Sequence, residues 1–152
     1  MEPIKFKHAS ADASTGFLFW QASMLWQRAI VKALAPYDLT HAQFVLLAGT
    51  GWLSKINAIP ISQVALAALA KTDIMMTSKV VRTLVDKKLL SRIDHPTDSR
   101  AYALKLTANG TARLQVALQA VEEMDEQFFA ELKAGEGFKK ELLNLIKRHT
   151  KE

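Results

Sequence analysis

Apolar positions recur at helical spacing through most of this chain. The run over 14–35 is apolar on nearly all of its sides and contains no proline, which predicts a helix that is covered from two directions. Thr40 and Gln43 form a capping-box signature, so a second helix is expected to begin there. Gly49 and Gly51 are expected to weaken that helix toward its end.

Two helices joined by a three-residue turn are predicted in the middle of the chain. Ser62 is the expected N-cap of a short helix over about 62–69, and Thr72 that of a longer helix over about 73–87. The longer helix should turn one stripe of side chains inward: Ile74, Thr77, Val80 or Val81, and Leu84. Such a pair is typical of a helix-turn-helix, whose second helix is the recognition helix.

The apolar pattern changes to alternation after the recognition helix. Residues 89–93 and 101–106 predict two strands joined by a polar loop. A helix-turn-helix followed by such a hairpin is a winged helix, whose wing tip can reach the minor groove. Arg100 suits that tip because a narrow minor groove concentrates negative potential. Asp98 can brace the wing by pairing with Arg100 or with Arg92, and Arg92 itself is interpreted as structural because it lies on a strand.

Two more helices are predicted after the hairpin. Thr107 is the expected N-cap of a long helix that reaches about Leu132. Gly135 and Gly137 are expected to break the chain before a last amphipathic helix, which carries one apolar side: Phe138, Leu142, Leu143, Ile146 and His149. The predicted fold is therefore mainly α-helical with a small β-hairpin wing, as a winged helix-turn-helix with additional helices.

The composition excludes several kinds of site. With 152 residues, 49% of them hydrophobic, one domain with its own core is expected, and the lack of cysteine excludes disulfides and thiolate zinc sites. No metal is expected because the histidines do not fall at metal-ligand spacing. Without a nucleophile–base pair or a phosphate-binding glycine loop, neither an enzyme nor a cofactor is predicted. The apolar run over 17–26 is too short to span a bilayer, which predicts a cytoplasmic protein without a membrane partner.

Charge is segregated along the chain. Residues 71–105 contain eight Lys or Arg against four Asp or Glu, a net charge of +4, and 113–136 contain two against six, a net charge of −4. A basic face around the recognition helix and the hairpin indicates an anionic partner, with double-stranded DNA the leading candidate. Ser78, Lys79 and Arg82 are spaced to share one helix face. Met75 and Met76 beside them either meet thymine methyl groups or pack in the core, and the sequence leaves both open.

The aromatic residues of the first two helices also have two interpretations. They can be simple core, or they can line an effector cavity between these helices and the winged helix. The candidates for such a cavity are Trp20, Met24 and Phe44, with His41 as a polar handle.

Three motifs follow one another after the recognition helix: Leu84-x-x-x-x-Leu89-Leu90-x-Arg92, Asp94-x-Pro96-x-Asp98-x-Arg100-Ala101 and Leu106-Thr107-x-x-Gly110. Together they resemble the signature of the MarR family of bacterial winged-helix regulators. The resemblance puts the wing arginine at Arg100 and its bracing acid at Asp98, and it puts recognition-helix contacts among Met76, Ser78, Lys79 and Arg82. The family usually has glycine where this chain has Lys88, so a left-handed backbone or a different turn is expected there.

The resemblance also implies an assembly and a function. It implies a single MarR-like domain over 1–152, in which 39–106 is the winged helix-turn-helix and 14–35 and 108–150 form a helical dimerisation region. The implied function is a homodimeric repressor on an inverted-repeat operator, released by a small aromatic effector. The alternative is a winged-helix protein–protein interaction module without specific DNA binding, against which Lys79, Arg82 and Arg100 argue.

Overall fold

Six α-helices and a small sheet make up the computed structural model, which describes residues 2–56, 61–94, 97 and 102–150. In chain order the elements are α1 Thr15–Leu34, α2 His41–Ile56, β1 Ile61–Ser62, α3 Gln63–Ala70, α4 Ile74–Asp86, β2 Leu90–Asp94, β3 Tyr102–Leu106, α5 Ala108–Phe129 and α6 Gly135–His149. Short 3-10 turns precede α1 and link α1 to α2. The predicted class, mainly α-helical with a small wing, is confirmed.

Three of the described helices, α2, α3 and α5, begin at the predicted caps, and α1 begins at a capping serine. The side chain of Ser14 accepts a backbone N–H at the start of α1. At α2 the Thr40 hydroxyl accepts from the N–H of Gln43 at 3.2 Å, and the Gln43 side-chain oxygen accepts from the N–H of Thr40 at 3.1 Å. The predicted capping box is therefore confirmed. Ser62 and Thr107 cap α3 and α5, also as predicted.

The N-cap predicted for the recognition helix is wrong by one residue. The carboxylate of Asp73 accepts from the N–H of Met76 at 2.8 Å, and Asp73 has the extended backbone typical of an N-cap. The hydroxyl of Thr72 lies 2.8 Å from that of Thr77 instead. Thr72 therefore joins the turn to the buried side of α4, while Asp73 satisfies the free N–H of Met76, the third residue of the helix.

Four of the glycines lie within α2 and α6. α2 runs through Gly49 and Gly51 to Ile56, and α6 begins at Gly135, so Gly137 also lies inside it and the predicted break is wrong. The break lies over 130–134 instead, because α5 ends at Phe129. One glycine costs a helix about 1 kcal/mol, which packing can outweigh.

The core lies where α2, α3, α4 and the hairpin meet, closed on one side by α1 and α5. Its fully buried members are mostly aliphatic: Ile30, Leu34, Leu46, Leu47, Leu66, Val81, Leu84, Leu89 and Leu90. In the hairpin Leu90 pairs with Leu106, and β1 adds a third antiparallel strand with Ile61 opposite Leu104. The alternation pattern does not predict β1, since two residues are too few to show it.

α1 and α6 leave large apolar surfaces uncovered. Only Ile30 and Leu34 of α1 are buried, and α6, described over its whole length, buries no residue. The ring of Phe138 on α6 lies 6.1 Å from that of Phe129 on α5. Within the described residues, no helix combines the length and apolarity that crossing a membrane requires.

Candidate nucleic-acid interface

The turn between α3 and α4 fixes the direction of the recognition helix. Lys71 ends α3 in the left-handed conformation (φ 55°), and the N–H of Thr72 donates to the carbonyl of Ala67 at 3.1 Å. The Thr77 hydroxyl donates to the carbonyl of Asp73 at 2.8 Å and bonds to the Thr72 hydroxyl. These bonds tie the buried side of α4 to the turn, so the opposite side has a defined orientation.

α4 has one buried face and one exposed face. Thr77, Val81 and Leu84 are buried, as predicted, whereas Ile74, predicted to point inward, is 45% exposed and that prediction is wrong. Ile74 lies in the first turn of α4, and hydrophobic spacing alone does not reveal that its side chain is exposed. The exposed face bears a shallow depression of about 470 Å³ lined by five side chains: Met75, Met76, Ser78, Lys79 and Arg82.

The exposed face of α4 carries free positive charge. Lys79 and Arg82 are both exposed, and within the described residues neither has a carboxylate partner. Unpaired cations on one helix face keep their full attraction for an anion. The four predicted contacts on α4, which are Met76, Ser78, Lys79 and Arg82, line one depression.

The described part of the wing is held by Tyr102. Its hydroxyl donates to the side-chain oxygen of Gln63 on α3 at 2.9 Å, and the guanidinium of Arg92 lies 4.5 Å from the centre of its ring. This contact supports the structural interpretation of Arg92. Asp98 and Arg100, the other predicted wing residues, lie outside the described residues, so their roles stay predictions.

The C-terminal end of α4 is anchored to the segment between α1 and α2. The Lys87 ammonium donates to the carbonyl oxygen of Asp38 at 2.7 Å and to its carboxylate at 3.0 Å. On the other side of the same segment, the Arg113 guanidinium of α5 donates to the carbonyl of Tyr37 at 2.9 Å. Sequence reasoning missed both residues, because neither has a local signal and each partner lies far away in the chain. The segment thus connects the recognition helix to α5.

Lys88 adopts the left-handed backbone conformation, with φ 57°, which is the first of the two alternatives expected at this position. The Leu89 N–H donates back to the carbonyl of Leu84 at 2.9 Å and closes the helix end. The hydroxyl of Thr107 accepts from the N–H of Gly110 and donates to the Lys88 carbonyl at 2.7 Å. The Leu-Thr-x-x-Gly motif therefore fastens the start of α5 to the turn that follows α4.

The residues proposed for an effector cavity have different surroundings. Phe44 is part of the core, Met24 is half-buried and Trp20 is exposed. His41 lies edge-on to Trp26, with 5.2 Å between ring centres, and the indole N–H of Trp26 donates to Asp125 at 2.7 Å. Burial lowers the pKa of His41, and the charge of Asp125 partly opposes this.

A cleft that sequence reasoning missed lies beside these residues. It has a volume of about 260 Å³ between α1, α5 and α6. Aromatic side chains and one leucine form most of its lining: Phe19, Trp26, Phe128, Phe129, Phe138 and Leu142. Within the described residues no group of His, Asp or Glu is arranged to hold a metal ion.

Comparison with known proteins gives consistent matches. The MarR family model matches residues 39–102. Over 141 residues the chain is 42% identical to the uncharacterized HTH-type transcriptional regulator YdcH of Bacillus subtilis, covering 93% of this chain and 95% of that protein. Among solved structures, a mutant MarR from E. coli complexed with operator DNA superposes with a TM-score of 0.71 and 28% identity, covering 88% of this chain and 91% of that one. CouR from Rhodococcus jostii RHA1, bound to p-coumaroyl-CoA, has the same fold, with a TM-score of 0.78, 20% identity, and coverage of 94% and 96%.

Proposed function

Since the chain belongs to the MarR family of DNA-binding transcriptional regulators, we propose that it acts in the cytoplasm as a homodimeric repressor on an inverted-repeat operator. The observation that carries this proposal is the exposed face of α4, where Ser78 lies beside Lys79 and Arg82, neither of which has a carboxylate partner among the described residues. Cations on such a face neutralise phosphates, and side chains beside them can meet base edges.

The proposed dimer uses the helices outside the winged helix. We assign 39–106 to the winged helix-turn-helix and 14–35 with 108–150 to the dimerisation region, within one domain over 1–152. The support is the apolar surface of α1 and α6, which a monomer leaves in water: Phe17, Leu18, Phe19, Trp20, Leu25, Val31, Leu143, Leu145 and Ile146. Large exposed apolar surfaces mark interaction sites. Two-fold symmetry then requires half-sites about 10 base pairs apart, centre to centre.

In the proposed complex the wing completes the contact. Arg100 enters the minor groove beside the half-site, and Asp98 braces it. A guanidinium is suited to this position by the negative potential of a narrow minor groove. Together with Met76, Ser78, Lys79 and Arg82 these residues form the proposed DNA site.

Release by a small aromatic ligand is the proposed form of control. CouR, which has this fold, was solved with p-coumaroyl-CoA, and in this chain aromatic side chains line a cleft between α1, α5 and α6. Trp20, Met24, His41 and Phe44 remain the proposed effector residues on α1 and α2. A ligand bound beside these residues changes the affinity for DNA only if it favours one separation of the two recognition helices over another. The anchors from Lys87 and Arg113 to the α1–α2 segment supply a path for that change. No enzymatic activity is proposed.

Fluorescence anisotropy with the DNA upstream of the protein's own gene tests the proposal. Native protein, Lys79→Ala and Arg100→Ala are compared with Lys133→Ala, which removes a charge from the segment after α5. Each is titrated over a salt series, with scrambled DNA of equal length as the reference. We expect tight binding that prefers the upstream DNA and weakens with salt. Lys79→Ala removes one phosphate contact in each half-site, so it should reduce the slope of log affinity against log salt by about two per dimer. Lys133→Ala should leave the slope unchanged.

Equal and weak binding to both DNAs would contradict specific recognition of that site. An operator would then be sought by selection from random sequences. Failure there too would favour a winged-helix module that binds protein partners instead of DNA.

A further inference from the structure

Three apolar side chains form the tip of the recognition helix. Ile74, Met75 and Met76 occupy the first turn of α4 and are 45%, 78% and 39% exposed. Core packing, one of the two interpretations that the sequence allows for the methionines, does not account for Met75. Single exposed apolar residues are ordinary, but three in succession at the start of a helix with a basic exposed face require another explanation.

The position of Met75 is defined by its surroundings. Asp73 caps the helix through the N–H of Met76, and the bonds of Thr77 hold the opposite side of the same turn. Lys79 and Arg82 follow Met75 by four and seven residues, so the three lie on one face and line the same depression. If Lys79 and Arg82 contact phosphates, Met75 lies at the N-terminal end of the same face, where side chains of a recognition helix contact the bases.

The major groove offers an apolar side chain one apolar partner. Among the base edges exposed there, the C5-methyl group of thymine is the only apolar substituent, and the others are hydrogen-bond donors and acceptors. The first residues of a recognition helix are those that meet base edges. Methionine is unbranched and polarizable, so it can adjust to the position of a methyl group.

We propose that Met75 reads the C5-methyl group of a thymine in each half-site of the operator. The inference rests on the proposed function, since it requires a DNA site, and it adds a chemical feature that this site must contain. Met75 is thereby a specificity-determining residue, whereas Lys79 and Arg82 contribute affinity that does not depend on sequence.

Replacing thymine by deoxyuridine tests this, because the exchange removes the methyl group and keeps every hydrogen-bonding group. Once the operator is defined, each half-site thymine is exchanged in turn, symmetrically, and anisotropy titrations are repeated. Native protein should lose about fifteenfold in affinity at one thymine position, because the symmetric exchange withdraws two methyl-sized groups, one in each half-site, from apolar contact. The same loss should persist in Met75→Leu, which keeps an apolar side chain, and disappear in Met75→Gln, which has similar length and is polar.

The outcomes separate this inference from the function on which it rests. Specific operator binding with no thymine sensitive to the exchange, or with a sensitivity that Met75→Gln leaves intact, overturns the role of Met75 and leaves the regulator standing. Absence of any specific operator overturns both. Circular dichroism of the two variants checks that the fold is unchanged, which is expected because Met75 is 78% exposed.

Discussion

Gly110 on α5 lies directly against the backbone of Leu89, the residue that leads into the wing. A Cβ added to Gly110 would lie 2.8 Å from the carbonyl carbon of Leu89 and closer still to its oxygen. The same carbonyl accepts a hydrogen bond from the N–H of Thr107 at 3.1 Å. The glycine of the Leu-Thr-x-x-Gly motif is therefore required by this close approach, since the obstacle is backbone and cannot rotate away.

Gly110→Ala is expected to destabilise the protein by about 2 kcal/mol or more, because α5 must move away from the hairpin to admit the methyl group. Urea unfolding followed by circular dichroism measures the change. Gly16→Ala is the matched control, since a Cβ there meets no described atom within 4 Å. That variant should be neutral or slightly more stable, and equal losses in the two variants would show that the contact with Leu89 is not the cause.

Replacing Asp73, the N-cap of α4, should lower the stability of the protein. Asp73→Ala removes the acceptor for the N–H of Met76 and is expected to cost about 1 kcal/mol. Asp73→Asn keeps an acceptor and should recover most of this loss. Chemical denaturation of the three proteins measures it, and an alanine variant as stable as the native protein would refute the assignment of Asp73 as the N-cap.

Lys88 is expected to be strained, because a side chain in the left-handed region costs energy that glycine avoids (φ 57°). Lys88→Gly should therefore stabilise the protein by up to about 1 kcal/mol. The neighbouring Lys87→Gly should do the opposite, since Lys87 has φ −73° and its ammonium anchors Asp38. Thermal unfolding of the two variants beside the native protein measures both changes in melting temperature. Changes of the same sign in the two variants would exclude a backbone effect.

Much of this architecture could be predicted because its signals are local. The capping box of Thr40 and Gln43, the cap at Thr107 and the alternation of the hairpin lie within a few residues of what they determine. The exposure of Ile74 could not be predicted, because hydrophobic spacing does not say whether an apolar side chain faces the core or a partner.

The contacts between distant segments also escape sequence reasoning. Lys87 reaches Asp38 and Trp26 reaches Asp125, across 49 and 99 residues of chain. No short pattern encodes either contact, since each depends on how whole helices pack. Of the candidate site, the face of α4 could be predicted, whereas the α1–α2 anchor and the aromatic cleft could not.

His41 should make stability depend on pH. Burial against Trp26 lowers its pKa in the folded protein below the ordinary value of about 6.5, so the unfolded chain takes up the proton more readily. Stability from the neutral imidazole is then fully present above about pH 6.5 and is lost as pH falls through the lower folded-state pKa. Comparing urea midpoints of native protein and His41→Gln between about pH 7.5 and pH 5 isolates this contribution. Equal pH slopes for the two proteins would refute it.

The charge of Asp125 provides an independent check on the same histidine. Because that carboxylate raises the pKa of His41 against the effect of burial, Asp125→Asn should lower the pKa further. Asparagine still offers an oxygen to the Trp26 indole, so the packing is kept. NMR titration of the imidazole protons in both proteins measures the shift, and a rise in pKa on substitution would contradict the attribution.

The apolar face of α6 supplies the last prediction. Leu143 is exposed in the described chain and contributes little to the monomer's own core, yet the proposed dimer requires that surface to be covered. Leu143→Glu should raise the dimer dissociation constant at least about 100-fold, since burying an unpaired carboxylate costs several kcal/mol. Val64→Glu, which introduces the same charge at an exposed position on α3, should remain dimeric. Sedimentation velocity at several concentrations distinguishes the two. A Leu143→Glu protein that stays dimeric would move the interface away from α6, whereas a monomeric one should also lose operator affinity, because each monomer holds only one half-site.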